Sequence, residues 1–379
     1  MDFSLNDEQA AFQRSAAAFA ENEIAPIAAK CDEENIYPVH LFQQMADLGY
    51  LGLKFPLEYG GGEGGSLETA ILFEELAAAS AGITLGAYCH VVLVLTAIAR
   101  LGGEDQKQRY LTPGIRAEKI GAFGMTESGA GSDVTAISTR ARRDGDDYVL
   151  NGGKLFTTNS PIADFIVLSA VTDSQAAPGR GISLFIVDKE TPGLSISRVL
   201  ETLGMHPAQT AEVVLDDVRV PKENLLGEEN RGIPGVLTAL AEGRIAAAAF
   251  AIGIAKAAFA AARRYAIERQ QFGQPIARFQ VIAHRLADMD TDIRAARLLA
   301  YQAAWLADNG RPFVKEASQA KVFATEACAR IAAQALHIQG AYGYTKESPA
   351  QRYYRDTHVL EIGEGTSEVL RDLIARELG

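Results

Sequence analysis

The sequence has little of what staples small folds or marks metal centres. It carries 3 cysteines and 1 tryptophan in 379 residues, and Cys31, Cys89 and Cys328 stand far apart with no CxxC spacing. That odd, scattered set argues against a disulfide framework or a zinc site and fits a reducing compartment. The 6 histidines (His40, His90, His206, His284, His337 and His358) form no HxH or HxxxH pair, so no metal is expected. There is no run of Lys or Arg. Basic residues number 36 against 48 acidic ones, so the net charge is −12. A nucleic-acid binder shows the opposite balance, and no nucleic-acid partner is expected. The first residues, Met1-Asp2-Phe3-Ser4-Leu5-Asn6-Asp7-Glu8, lack a basic region followed by an apolar core. We therefore expect no signal or transit peptide and a cytoplasmic location. The longest uncharged run, Ala77 to Ala99, matches the roughly 20 residues of a membrane span. But Ser80, Gly82, Thr84, Gly86, Tyr88 and His90 interrupt it, and the run reads as buried core rather than a membrane span.

What is present is ordinary globular composition, with 48% hydrophobic and 22% charged residues. At about 150 residues per domain the length predicts two to three domains. Three zones follow from periodicity, and they predict a multidomain α+β chain. Residues 1–118 are helical in texture, with Phe12, Ala16, Phe19 and Ala20 at helical spacing and a helix start at Ser66. Residues 119–230 switch to short β-branched and aromatic runs (Phe165 to Leu168, Ile182 to Val187, Val213 to Leu215), the pattern of a β-barrel or sandwich. Asp144 to Asp147 and Asn151-Gly152-Gly153 supply its turns. Residues 231–379 are Ala-rich and predict a four-helix bundle, with long helices near 232–268, 279–308 and 314–338 and a shorter one after Thr366. Trp305, Cys89 and Cys328 are expected in the core, and the Arg263-Arg264 pair on a solvated helix face.

Three motifs carry candidate chemistry. Met125-Thr126-Glu127-Ser128-Gly129-Ala130-Gly131-Ser132-Asp133 has glycines that admit a ligand to the backbone, and hydroxyls for an anion or a heterocycle edge. It is not GxGxxG, so a Rossmann site is disfavoured, and by itself the pattern favours a Gly-rich surface loop. Asn151-Gly152-Gly153-Lys154-Leu155-Phe156-Thr157-Thr158-Asn159 offers an aromatic and, two residues on, a threonine for a flat ring. Alone it reads as a strand with polar edges. In Glu361-Ile362-Gly363-Glu364-Gly365-Thr366-Ser367-Glu368 two glycines bracket a carboxylate just before a helix that Thr366 or Ser367 can cap. If an apolar ligand covers that acid, desolvation makes it a competent base. A solvated acidic turn fits the motif equally well.

Together with Glu268-Arg269-Gln270-Gln271-Phe272-Gly273 and Ile374-Ala375-Arg376, these motifs resemble the acyl-CoA dehydrogenase family, in order and spacing, over essentially the whole chain. The resemblance implies that family's fold: a helical domain, a β-barrel-like domain and a helical bundle, as a homotetramer. It implies FAD-dependent α,β-dehydrogenation of an acyl-CoA thioester to the trans-2-enoyl-CoA, in fatty acid or branched-chain amino acid catabolism. Glu364 would take the α-proton, flavin N5 would accept the β-hydride, and an electron-transferring flavoprotein would take the electrons. Phe123, Met125, Thr126, Gly131, Ser132, Phe156 and Thr158 would line FAD. Arg269, Phe272, Gln280, His337, Gly340 and Ala341 would reach the FAD of a neighbouring subunit. Thr366 and Glu368 would also touch the cofactor. Ser132, Arg244, Gly363 and Gly365 would contact substrate. Other flavin reactions on this fold (an oxidase or monooxygenase) and a non-catalytic acyl-CoA-binding relative are the alternatives.

The chain departs from the family pattern at several positions. Some members carry the base on the long helix, just before an arginine corresponding to Arg244; here that position is Gly243. Glu242 is one residue off, about 100° around the helix, and is expected to point elsewhere. His337 and Ala341 replace Gln and Gly, and Ala241 stands where an Asp is frequent. Gly363 replaces a Tyr common before the base in straight-chain relatives, which predicts a pocket that admits branched or bulkier acyl groups.

Overall fold

The computed structural model describes residues 4–177 and 179–378, with the side chains of Leu237 and Thr238 left aside. Met1 to Phe3, on which the leader expectation partly rests, lie outside the described residues.

The first part of the chain is helical. It comprises α1 (Asp7–Phe19), α2 (Ala25–Glu34), α3 (His40–Asp47), α4 (Ser66–Ala79), α5 (Ala81–Tyr88), α6 (Thr96–Leu101), α7 (Glu104–Gln106) and α8 (Thr112–Ile115). A π-helical stretch, Cys89–Leu95, joins α5 to α6 into one rod. That rod, Ala81–Leu101, is long and apolar enough to cross a membrane, but 89% of its most apolar 18-residue stretch is buried inside the fold. Its polar residues find partners there. Nδ1 of His90 accepts the Gly121 amide at 3.0 Å, and its Nε2 lies 3.0 Å from the Gly114 carbonyl. Burial keeps this imidazole neutral by pushing its pKa down to about 4. It thereby pins the first strand to the helical layer.

The middle part is one eight-stranded mixed sheet in the order β6-β7-β3-β2-β4-β5-β8, with β1 paired to β4. The strands are β1 (Gly121–Gly124), β2 (Arg140–Asp144), β3 (Asp147–Thr158), β4 (Phe165–Val171), β5 (Ile182–Asp188), β6 (Leu194–Val199), β7 (Thr210–Pro221) and β8 (Leu225–Leu226). Its two halves meet in register only at Arg140 and Val171. They curl around a shared core in which Leu150, Val213 and Leu215 pack with Ile166, Leu168 and Phe185. This is the sandwich-like alternative of the sequence reading. The expected turn at Asn151-Gly152-Gly153 is instead the interior of β3, at a bulge. Gly152 has φ +146, and a β-carbon there would lie 2.6 Å from the Thr139 hydroxyl. The glycine serves close approach, not chain reversal.

The last part is helical: α9 (Gly232–Glu268), a short hairpin of β9 (Gln270–Gln271) and β10 (Gln274–Pro275), then α10 (Gln280–Asp308), α11 (Val314–Gln339), α12 (Pro349–Ile362) and α13 (Ser367–Arg376). Helix α12, capped by Ser348, is polar enough to have escaped the periodicity reading. Trp305, expected in the core, is 49% exposed, with the Arg311 guanidinium 5.4 Å over its ring. It lies on the outer face of α10, where stacking under a cation serves an aromatic well. The small alanines of α9 and α11 face inward and let the helices approach closely. An ion network fastens the bundle to the first layer. Glu74 on α4 meets Arg297 of α10 at 2.7 Å, and Glu75 meets Lys256 of α9 at 2.6 Å.

Candidate active site

The turn between α12 and α13 places the carboxylate. Gly363 closes α12, its amide donating to the Val359 carbonyl at 2.8 Å. Glu364 (φ +57) and Gly365 (φ +99) then both take the left-handed region. A non-glycine residue held there costs on the order of 1 kcal/mol, and such strain gathers at functional sites. Thr366 starts the next helix, its hydroxyl accepting the Val369 amide at 3.3 Å. The turn is held from below by Lys321 of α11, whose Nζ donates to the Gly365 carbonyl at 2.8 Å.

The strained turn aims Glu364 inward. Its Oε1 accepts from the Tyr88 hydroxyl at 2.5 Å. Its Oε2 is buried without a hydrogen-bond partner among the described residues. That oxygen faces α9: a β-carbon on Gly243 would lie 2.8 Å from it. The neighbouring Arg244 is buried at 5% exposure, and its Nε also lacks a partner. Burial raises the Glu364 pKa, opposed by the Tyr88 hydrogen bond and by the charges of Lys321, Arg244 and Lys54. Burial in turn lowers Lys321 to about 8, opposed chiefly by Glu364. A carboxyl with one oxygen anchored and the other enclosed and free can take up a proton.

Cys89 links this turn to the sheet. Burial pushes its thiol up to about 12; the Glu364 charge adds to that, and a hydrogen bond with Thr158 opposes it. Thr158 closes β3, and next to it Asn159 donates to the Gly86 carbonyl at 2.8 Å. Two residues before Thr158, Phe156 stands 59% exposed with φ +55. The Leu155 amide donates to the Thr126 carbonyl at 2.8 Å, so the Phe123-Met125-Thr126 segment runs beside it. From there the Ser128 to Asp133 loop is exposed on either side of Ala130, which is buried with Ile137, Ile182 and Ile233, and open space surrounds the places where β-carbons of Gly129 and Gly131 would stand. Its base is clasped by Glu127, whose carboxylate accepts from the Ser138 amide (2.6 Å), the Ser138 hydroxyl (2.7 Å), the Thr139 amide (3.1 Å) and buried Lys154 (2.6 Å).

This surface fits FAD. A phenylalanine that exposed on a strained backbone wants a flat apolar cover. Met125, Thr126 and Thr158 add a thioether and hydroxyls along one edge, and Gly129, Gly131 and Ser132 give an open loop for phosphate. Thr366 spends its hydroxyl on the helix cap, and Glu368 is exposed beside it.

Other sequence-predicted residues form a second, solvent-facing group apart from Glu364. Phe272, with φ +52, tips the β9–β10 hairpin at 92% exposure. Arg269, Gln280, His337, Gly340 and Ala341 are also exposed. Tyr265 meets Tyr342 with ring centroids 6.3 Å apart, which sets the Arg269 turn beside the Gly340–Tyr344 turn. Glu242 points away from Glu364 and pairs with Lys54 at 3.3 Å and with Arg100. Among the described residues no cluster of His, Cys, Asp and Glu is placed to hold a metal.

Sequence reasoning missed Tyr88, Lys321 and Lys54. A signal for Tyr88 existed: Ser80, Thr84 and Tyr88 recur every four residues in an otherwise apolar run, which puts them on one helix face.

The comparisons with known proteins bear on the family and the fold. Models of the acyl-CoA dehydrogenase N-terminal, middle and C-terminal domains match residues 6–118, 122–218 and 230–379. The short-chain-specific acyl-CoA dehydrogenase of Clostridium acetobutylicum is 42% identical over 380 residues, covering 100% of both chains. Among solved structures, the butyryl-CoA dehydrogenase of Megasphaera elsdenii superposes with a TM-score of 0.96 at 40% identity, covering 100% of both chains. A structure titled for the electron transferring flavoprotein of Acidaminococcus fermentans does so with 0.97 at 42%, covering 100% of this chain and 99% of that one. The FAD complex of PigA matches with 0.96 at 28%, covering 100% of this chain and 99% of that one. The chain belongs to the acyl-CoA dehydrogenase family. It is an FAD-dependent oxidoreductase acting on an acyl-CoA.

Proposed function

We propose that the chain oxidises a short or branched acyl-CoA to the trans-2-enoyl-CoA, with Glu364 removing the α-proton. The observation that carries this is the buried, unpartnered Oε2 of Glu364. An α-proton beside a thioester is weakly acidic, so the base must be dry and the carbonyl polarised as the proton leaves. Among the described residues the Glu364 backbone N–H meets no acceptor, which leaves it to hold the thioester oxygen. The β-hydrogen departs as hydride, the chemistry that FAD supplies when bound. Phe123, Met125, Thr126, Gly131, Ser132, Phe156 and Thr158 hold the cofactor, with Thr366 and Glu368 at its edge. Arg244, Gly363, Gly365 and Ser132 meet the substrate. Gly363 leaves room above the reacting carbons: a β-carbon there would meet only the Val359 carbonyl, at 3.3 Å.

The exposed group of Arg269, Phe272, Gln280, His337, Gly340 and Ala341 completes the cofactor site of a second copy in a homotetramer. A side chain as apolar and bare as Phe272 supports that role. An electron-transferring flavoprotein takes the electrons, supported by the match to the structure titled for such a protein. The reaction takes place in the cytoplasm, with no nucleic-acid partner.

The test is anaerobic bleaching of the flavin by a panel of straight, branched and cyclic acyl-CoAs. We expect bleaching by short and branched thioesters and slow reoxidation in air. Glu364→Gln should keep the yellow colour and ligand binding but lose bleaching by several orders of magnitude. Retained bleaching in that variant sinks the assignment of the base, and activity confined to straight chains sinks the branched-chain reading.

A further inference from the structure

We propose that Tyr88 is a positioning residue for the proton transfer at Glu364, its single phenolic proton moving between the Glu364 carboxyl and the Gly243 carbonyl as the acid changes state. The inference rests on the reading of Glu364 as the base. The Tyr88 oxygen lies 2.5 Å from Glu364 Oε1 and 2.9 Å from the Gly243 carbonyl. A phenol has one proton to give, so only one of these acceptors is served at a time. With Glu364 ionised the proton goes to Oε1, the stronger, charge-assisted acceptor. Once Oε2 has taken the α-proton, Oε1 no longer carries charge, and the phenol turns to Gly243. Oε1 is held while the acid is ionised and released only after its charge is gone, which leaves Oε2 as the atom that works.

The phenol is fixed for this task. Tyr88 is 4% exposed, its ring centroid 5.4 Å from Phe73 and 5.9 Å from Phe250. Burial, reinforced by the Glu364 charge and the hydrogen bond to it, raises its pKa well above the ordinary value, so it remains a neutral donor. The other charged groups around Glu364 are Lys321 on α11, Arg244 on α9 and Lys54 of the first layer, with Glu361 and Glu368 acting on Lys321. Cys89, the neighbour of Tyr88, is held in its thiol form. None of these donates to a Glu364 oxygen within hydrogen-bond reach, so removing the phenol strips the carboxylate of its one direct donor among the described residues.

Tyr88→Phe keeps the ring and deletes the donor. Losing a hydrogen bond that favours the ionised form raises the Glu364 pKa. The acid limb of the anaerobic flavin-reduction rate should therefore move up by about one pH unit, a loss of about 10-fold below both limbs. KM should change little, and the high-pH rate should fall less. An unmoved acid limb, or a rise in KM alone as expected of a mere pocket wall, overturns the proposal. Glu364→Gln separates the two claims: if it retains bleaching, the base is misassigned; if it loses bleaching and Tyr88→Phe leaves the limb in place, only Tyr88 is misassigned. Infrared titration of the wild type without substrate gives a check free of turnover and of the variant's folding. The carboxyl band absent from Glu364→Gln should appear in the same pH step that shifts a tyrosine C–O band. Independent titration of the two bands overturns the proposal.

Discussion

Glu127 and Glu364 are the same residue with opposite fates: Glu127 is 6% exposed, whereas Glu364 is half-buried with its Oε2 enclosed. Around Glu127 the sheet supplies backbone amides, a hydroxyl and the Lys154 ammonium. Burial alone would raise its pKa, but those donors, led by Lys154, outweigh burial and hold it at about 2. Around Glu364 the helices supply one phenol and three cations that do not reach the carboxyl, and burial prevails. A saturated carboxylate is a structural rivet; a starved one is a reagent. The donors that reach each carboxyl differ as sharply as the fates: four contacts from amides, a hydroxyl and an ammonium at Glu127, one phenol at Glu364.

The comparison can be broken most directly by rate. Glu364→Gln should abolish substrate bleaching of the flavin while leaving the fold intact, whereas Glu127→Gln should retain whatever chemistry survives its loss of structure. Next in size is stability. Glu127→Ala strands buried Lys154 and should cost about 3–5 kcal/mol in chemical denaturation, with weakened retention of FAD as the clasped loop loosens. Gly243→Ala should follow: its β-carbon would crowd Oε2 at 2.8 Å, and turning the carboxyl aside should lower kcat by about 100-fold with little change in melting temperature.

The pH dependences should have opposite signs. The Glu127 pKa is depressed, so its contribution is present above about 4.3, the unfolded value, and is lost as pH falls toward about 2. The Glu364 pKa is raised, so the ionised acid weighs on the fold as pH climbs through its folded value. Glu364→Gln should therefore be more stable than wild type at pH 8, and the gap should close on approaching pH 4. Equal stability at both pH values would undo the contrast. The smallest effect is expected at Trp305→Ala, within about 0.5 kcal/mol, as for other surface changes.

Legibility in the sequence followed physical range. The α, β, α succession was readable because composition and periodicity change where the architecture does. The Glu364 turn was readable because glycines flank the acid and a cap follows, all within eight residues. Glycine misled at Gly152, where close approach leaves the same mark as a turn. Trp305 was expected in the core but lies on the outer face of its helix, under the Arg311 guanidinium. The surroundings of Glu364 were not readable: Tyr88 lies 276 positions away in sequence and Lys321 44 from the carbonyl it holds. Such pairings are made by helix packing, and periodicity gives the face of a helix but not what the face meets.

The closeness of Gly243 to Glu364 also bears on how such a catalyst can change. The volume a side chain at 243 would need is already filled by the acid arriving from the far end of the chain. The two positions are rivals for one vacancy. A carboxyl could migrate from one scaffold helix to the other only if its old seat were emptied in step, so a lineage passing between the two designs must cross a form carrying no acid or a crowded pair.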